Sequence, residues 1–162
     1  MIQVTNLSKS FGNQLLFDAV SFNINQKERI GLVGRNGHGK TTLFRIIIGE
    51  EQADSGEISI PRNYRIGYVT QQLLFSEQTV LAEACRGLPE HLHGETWMAE
   101  KVLSGLGFSK EDMGRNTSEF SGGFQVRLGL ARVLVSEPDL LLLDEPTNYL
   151  DIVSIRWLEK FL

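Results

Sequence analysis

The sequence predicts an α/β fold in which a parallel core sheet is joined by an N-terminal antiparallel β layer and a small helical subdomain. Two kinds of strand carry this prediction. Ile2 and Val4 alternate with polar residues, as in half-buried antiparallel strands. By contrast, Ile30–Val33 and Leu140–Leu143 are unbroken apolar runs, which are typical of strands buried on both faces of a parallel sheet. Segments with helical periodicity follow each kind of strand, so we expect layers of strands and helices around one core.

The antiparallel layer is predicted by three segments in which apolar residues fall at every second position. These segments begin at Ile2, Val20 and Ile58. Glycine-containing turn signals at residues 11–13 and 54–56 mark their ends. Each of these strands should therefore bury one face and expose the other.

Helices are predicted where apolar residues recur at three- and four-residue spacing. The first runs from Thr41 to Ile48, the second from Thr96 to Gly105, and the third follows Ser121. Another helix is expected to open near Ile152. The helix predicted from Thr96 to Gly105 belongs to a helical insertion over roughly residues 73–120. The strands and the remaining helices lie outside this insertion.

Length and composition restrict the class of protein further. The chain has 162 residues, 41% of them hydrophobic and 22% charged, which suits one folded domain or most of one. A net charge of −4 removes the argument for nucleic-acid binding through a general positive field. The longest aliphatic run is far shorter than the roughly 20 residues of a membrane span, so we expect no membrane insertion. Without a secretory signal, the cytoplasm is the expected compartment.

Few residues suggest metal or redox chemistry. Cys85 is the only cysteine, so neither an internal disulfide nor a cysteine-based zinc site can form within these residues. His91 and His93 are interpreted as solvated loop residues, since no nearby Cys or third His completes a metal site.

Residues 34–41 match the phosphate-binding pattern G-x-x-x-x-G-K-[ST] without a mismatch, between a predicted strand and a predicted helix. Glycines let backbone N–H groups wrap a phosphate, and the helix N-terminus adds partial positive charge. Lys40 is expected to reach the β- and γ-phosphates, Thr41 to bind Mg²⁺ and Thr42 to touch the α-phosphate. The expected nucleotide-binding residues of this loop are Gly34, Asn36, Gly37, Gly39, Lys40, Thr41 and Thr42.

Two carboxylates follow the apolar run 140–143. In a P-loop fold this strand lies beside the P-loop strand, which would bring Asp144 to the Mg²⁺. Glu145 would then face the γ-phosphate, where a carboxylate can orient and deprotonate the attacking water. The expected reaction is hydrolytic removal of the γ-phosphate of a bound nucleotide.

Ser121-Gly122-Gly123 alone would indicate a turn and a helix cap, but it precedes the acidic strand. With this order of motifs the whole chain resembles the ATP-binding cassette (ABC) ATPases. The resemblance implies that Ser121, Gly122 and Gly123 contact a nucleotide held by the opposite cassette. It also implies that Phe11 stacks on adenine and that Gln71 is the Q-loop glutamine. Gln71 is then expected to contact Mg²⁺ and to be a catalytic residue, together with Lys40 and Glu145.

Within that family the sequence looks like the ABC-F subfamily, which consists of soluble tandem-cassette proteins acting on the ribosome. The segments that carry this likeness are residues 29–34, 120–124 and 144–151; Phe124 and Asn148 within them differ from the residues common in transporter cassettes. The resemblance implies ATP and Mg²⁺ as cofactors and a second cassette and the ribosome as partners. The alternative function is the ATPase subunit of a membrane transporter, and a third is a module that closes on ATP without turnover.

The expected domain is one partial nucleotide-binding cassette over residues 1–162. Its ATP-binding core comprises 1–72 and 121–162, and its helical subdomain comprises 73–120. The sequence resembles a first cassette that ends before the switch histidine, so the chain by itself is expected to hydrolyse ATP weakly or not at all. Tyr149 stands where ABC-F proteins commonly have His, and fifty positions separate Gln71 from Ser121, too few for a long helical arm.

Overall fold

The computed structural model describes residues 1–35, 37–69 and 75–162 and divides into two compact units, Met1–Ile66 and Gly67–Leu162. The strands are β1 (Ile2–Phe11), β2 (Gln14–Ile24), β3 (Ser55–Ser59), β4 (Ile66–Tyr68) and β5 (Leu140–Leu142). The α-helices are α1 (Lys40–Ile47), α2 (Val80–Cys85), α3 (Thr96–Gly105), α4 (Lys110–Met113), α5 (Gly122–Val135) and α6 (Ile152–Phe161). Short 3-10 helices cover Glu90–Leu92, Thr117–Glu119 and Pro146–Tyr149.

The first unit is built on a three-stranded antiparallel sheet in the order β2-β1-β3. Ile2 pairs with Ile24, and Val4 pairs with Phe22 on one side and Ile58 on the other. Ile2 and Val4 are buried, as the period-two pattern predicts, and after a register shift Leu7 and Lys9 are the buried residues of β1. Helix α1 likewise buries one apolar face. The predicted antiparallel layer is confirmed.

The apolar run Ile30–Val33 differs from the prediction. The structure assigns no strand to these residues, and Val33 is 95% exposed. A strand of a parallel sheet needs neighbours to satisfy its backbone groups, and neither sheet among the described residues includes this run. The expectation of a buried strand here is therefore wrong for this structure. Apolar residues favour burial, but they do not specify the partner strands that a buried strand requires.

The second unit is built around helix α5. Helices α2, α3 and α6 bury apolar side chains with it in one continuous cluster, which includes Val80, Leu103, Leu128, Leu134 and Leu158. Three of the predicted helices are found in this unit: α3 with the predicted ends, α5 after Ser121, and α6 beginning at Ile152. The predicted division into a core of 1–72 and 121–162 and a subdomain of 73–120 stays a prediction.

Strands β4 and β5 form a two-stranded parallel sheet. Gly67 of β4 lies against the side chains of Val133 and Pro138, so the strand packs on the end of α5 and the turn after it. Because β5 ends at Leu142, the chain emerges from this sheet at the two predicted carboxylates. Among the described helices, none has both the length and the apolar character required to cross a membrane.

Candidate nucleotide-binding site

The predicted phosphate loop leads directly into helix α1, which begins at Lys40. Gly39 precedes the helix with φ +93°, and a Cβ there would lie 2.8 Å from Phe17 Cζ. Only glycine fits this position, because an added side chain would meet both a left-handed backbone and the ring of β2. The Gln14 side chain of the same strand donates to the Gly37 carbonyl at 3.3 Å. Strand β2 therefore supports the loop from behind.

Lys40 turns back over the loop that precedes it. Its ammonium donates hydrogen bonds to the carbonyl oxygens of Gly34 at 2.7 Å and Arg35 at 3.3 Å. Thr41 and Thr42 follow on the first helical turn and are half-buried. The structure describes every residue of that turn, and none of them is acidic. No carboxylate in the turn therefore offsets the positive end of the helix dipole. The loop, the lysine and the helix N-terminus together suit an anionic group.

Phe11 ends strand β1 and is 50% exposed. The Lys9 ammonium lies 4.7 Å from the centroid of its ring, a cation–π contact. Lys9 itself is buried and pairs with Glu51 at 2.7 Å and with Asp54 at 3.7 Å. The hydrogen bond to Glu51 raises the pKa of Lys9, which keeps the cation charged beneath the ring. Phe11 thus presents a supported, half-exposed aromatic face.

Asp144 and Glu145 follow strand β5, as predicted. Glu145 has φ +49°, a conformation in which a non-glycine residue is uncommon and which concentrates at functional sites. The Asn148 side-chain amide donates to Glu145 Oε2 at 2.8 Å, and the Asn148 backbone N–H donates to the Glu145 carbonyl at 3.2 Å. Asn148 of the 3-10 turn therefore holds Glu145 at two points, its carboxylate and its backbone carbonyl.

Ser121 is the N-cap of helix α5, and Gly122 and Gly123 form its first turn. Ser121 and Gly122 are exposed, and a Cβ at either glycine would meet nothing within 4 Å among the described residues. Phe120 and Phe124 flank the motif, and both rings pack against the Phe108 ring, with centroid distances of 5.6 and 5.2 Å. These aromatic contacts fix the start of α5 on the helical core and leave the motif accessible.

Arg127 and Asp151 form a contact that the sequence did not predict. The Arg127 guanidinium reaches Asp151 Oδ2 at 3.1 Å and the Leu106 carbonyl at 3.3 Å, with its Cζ 4.8 Å from the centre of the Phe124 ring. Asp151 also caps helix α6 by accepting from the Ser154 N–H at 2.8 Å. That hydrogen bond, and then Arg127, lower the pKa of Asp151 against the opposing effect of burial.

The structure leaves part of the predicted site open. Asn36 and Gln71 lie outside the described residues. Lys40 belongs to the first unit and Asp144 to the second, so the expected meeting of the phosphate loop with the acidic strand stays a prediction. Within each unit the local structures are of the expected kind: a helix N-terminus after a glycine loop, and two carboxylates after a strand that is partly buried.

Comparison with known proteins identifies the class. A family model described as ABC transporter matches residues 17–148. The chain belongs to this family, the ATP-binding cassette proteins, and carries their P-loop NTPase fold.

Among curated proteins, the chain is 41% identical over 165 residues to the energy-dependent translational throttle protein EttA of Escherichia coli strain K12, and 35% identical over 192 residues to the probable ATP-binding protein YheS of the same strain. Both alignments cover 100% of this chain and 30% of the relative, so the chain spans about a third of their length. These relatives are consistent with the predicted likeness to the first cassette of an ABC-F protein.

Among solved structures, one of the similar ones is an inward-facing conformation of a putative metal-chelate type ABC transporter. Its TM-score is 0.72 at 27% sequence identity, and the alignment covers 98% of this chain and 65% of that one. The fold is therefore shared with transporter cassettes as well.

Proposed function

We propose that the chain is the ATP-binding and ATP-hydrolysing cassette of a soluble ABC-F type protein that acts on the ribosome in the cytoplasm. The observation that carries the proposal is the 41% identity over the whole chain to EttA, a relative whose name describes energy-dependent control of translation. The transporter structure reported above shares the fold at only 27% identity.

ATP binding in this proposal rests on the first unit. The triphosphate lies against the loop 34–39 and the N-terminus of α1, where Lys40 exchanges its loop carbonyls for phosphate oxygens. Phe11 stacks on the adenine while the Lys9 cation supports the ring from below. Thr42 contacts the α-phosphate.

Hydrolysis rests on the residues after strand β5. Glu145 orients the attacking water and accepts its proton, and Asn148 holds the carboxylate in place through the hydrogen bond at 2.8 Å. The hydroxyl of Thr41 and the carboxylate of Asp144 are hard oxygen donors of the kind Mg²⁺ prefers, and Gln71 completes this set in the proposal. When bound, Mg²⁺ neutralises charge on the β- and γ-phosphates.

A second cassette completes the site. The accessible N-terminus of α5, with Ser121, Gly122 and Gly123, is suited to close over the γ-phosphate of a nucleotide held by that partner. A cassette without its partner lacks these donors at its own nucleotide, and one such donor is typically worth about 10²- to 10³-fold in rate. The isolated 162-residue chain should therefore turn over ATP weakly.

The test uses the full-length protein with Glu145→Gln. This change keeps the size and reach of the side chain but removes its ability to accept a proton, so the ATP-bound closed state should accumulate. We expect the variant with ATP to sediment with ribosomes in a sucrose gradient and to inhibit translation. Glu159→Gln, at an exposed position on α6, is the matched control and should behave as wild type.

The alternative is the ATPase subunit of a membrane transporter, which the shared fold of the metal-chelate transporter favours. If the Glu145→Gln protein pellets with membranes and is absent from the ribosome fractions, the transporter role replaces the ribosomal role. A third reading is a module that binds ATP without turnover. Absence of ATP hydrolysis by the intact wild-type protein, with ATP binding retained, would establish it.

A further inference from the structure

Glu83 on helix α2 is a charged side chain with 0% of its surface exposed. Its Oε2 accepts hydrogen bonds from the backbone N–H groups of Ser76 at 3.0 Å and Glu77 at 2.9 Å. Its Oε1 accepts from the Arg132 guanidinium at 2.7 Å and lies 3.6 Å from that of Arg86. One buried carboxylate thus connects a loop, its own helix and helix α5.

The two arginines differ in what they connect. Arg86 lies one turn after Glu83 at the end of the same helix, and its side chain is 47% exposed, so its contact ties α2 only to itself and to the adjacent Ser76. Arg132 comes from α5, with 31% of its side chain exposed, and its hydrogen bond is 0.9 Å shorter than the Arg86 contact. A buried charge must be paired to be tolerated, and of the two arginines Arg132 is the one that couples helix α5 to this carboxylate.

The backbones of the two elements also meet at this point. A Cβ on Gly87 would lie 2.0 Å from the Arg132 carbonyl oxygen, so the chain after α2 rests directly on the backbone of α5. Backbone contact sets the distance between the two elements, and the ion pair sets their register. A helix transmits such a constraint along its length, because its hydrogen-bonded backbone resists bending. Helix α5 begins at the Ser121–Gly123 motif.

We propose that Glu83 is a positioning residue for the Ser121–Gly123 motif: through Arg132 it locks helix α5 to the loop at 76–77 and fixes where the motif stands. The lock would make the loop and the helix move as one body when the cassette closes on a partner's nucleotide. This inference rests on the proposed ATPase function. Glu83 itself carries out no chemical step in this proposal.

If Glu83 is a positioning residue, loss of its contact with Arg132 should change the rate of ATP turnover but not the affinity for ATP. ATP binding depends on the loop 34–39 and Lys40 in the other unit, so loss of the lock should leave the Kd for ATP unchanged. Turnover depends on the motif reaching the γ-phosphate, and a misplacement of about 1 Å can cost about 10²-fold in rate. A role confined to stability would lower the amount of folded protein and change both quantities together.

The experiment compares three variants of the full-length protein. Arg132→Gln removes the charge that links α5 to Glu83, and Arg132→Lys restores a cation with an N–H donor. Arg86→Gln removes the other arginine beside the same carboxylate without touching α5. For each we would measure the Kd for ATP, kcat at saturating ATP, and the melting temperature.

We expect Arg132→Gln to lower kcat by about 10- to 100-fold with a Kd within twofold of wild type. Arg132→Lys should recover most of the rate, and Arg86→Gln should stay within twofold of wild type. Equal kcat for Arg132→Gln and Arg86→Gln would overturn the proposal, as would a parallel loss of kcat, ATP binding and folded protein. If the wild-type protein itself shows no hydrolysis, the proposed ATPase function fails and this inference fails with it.

Discussion

Gly87→Ala tests how tightly helix α5 is held by the chain after α2. A Cβ at this position would lie 2.0 Å from the Arg132 carbonyl oxygen and 2.9 Å from its carbon, whereas Cβ atoms in proteins essentially never approach closer than 3.0 Å. The two backbones would have to separate by at least about 1 Å, in a region where neither atom belongs to a flexible side chain. Overpacking of this kind costs about 2 kcal/mol, which we expect as the loss in free energy of unfolding.

Gly114→Ala is the matched control in the same unit. Its added Cβ would have the Glu111 carbonyl oxygen as a neighbour at 3.9 Å, an ordinary contact, and its φ of −87° suits alanine. We expect this variant to be more stable than wild type by about 0.5 kcal/mol, because alanine restricts the unfolded chain. Urea unfolding followed by tryptophan fluorescence suits the comparison, since both tryptophans, Trp97 and Trp157, lie on helices of this unit. Equal urea midpoints for the two variants would refute the close packing of Gly87 on α5.

Two further predictions concern the phosphate loop and the acid stability of the second unit. Lys40→Ala removes a full charge opposite the phosphates and should weaken ATP binding by at least about 2 kcal/mol in calorimetry. Lys27→Ala, outside the loop, is the control and should bind ATP as the wild type does. Equal ATP affinities of the Lys40→Ala variant and the wild type would refute the role of Lys40. The Ser154 N–H lowers the pKa of Asp151 below its ordinary 3.8, so this carboxylate stabilises the folded state above that pH and stops doing so as the pH falls through its folded value. Asp151→Asn should therefore reduce the drop in urea midpoint between about pH 6 and about pH 3, and an unchanged drop would contradict the role of Asp151.

Local chemistry explains how much of the molecule could be predicted from the sequence. The period-two pattern of Ile2 and Val4 specifies which residues at the start of β1 are buried, and the structure confirms it. The start of α1 at Lys40 follows from a glycine loop that cannot continue a strand. In both cases the residues that decide the structure are neighbours in the chain.

The unpredicted features depend on contacts between distant residues. Val33 belongs to a run that looks like a buried strand, but burial also requires partner strands that the run does not encode. Arg132 lies among the apolar residues of α5, and that position could have signalled a buried partner. The carboxylate it pairs with is 49 residues away, and spacing alone could not single out Glu83 among the acidic residues. The conformation of Glu145, with positive φ, carries no sequence signal either.

Helix α5 is tied on two sides, by Arg127 to Asp151 and by Arg132 to Glu83. Five residues separate the two arginines, which places them about 7.5 Å apart along the axis and about 140° apart around it. Ties in such different directions resist both sliding and rolling of the helix, so its middle cannot open by local fraying. In hydrogen-exchange terms, the amides of residues 128–134 should exchange only when the whole unit unfolds, and they should report its global stability.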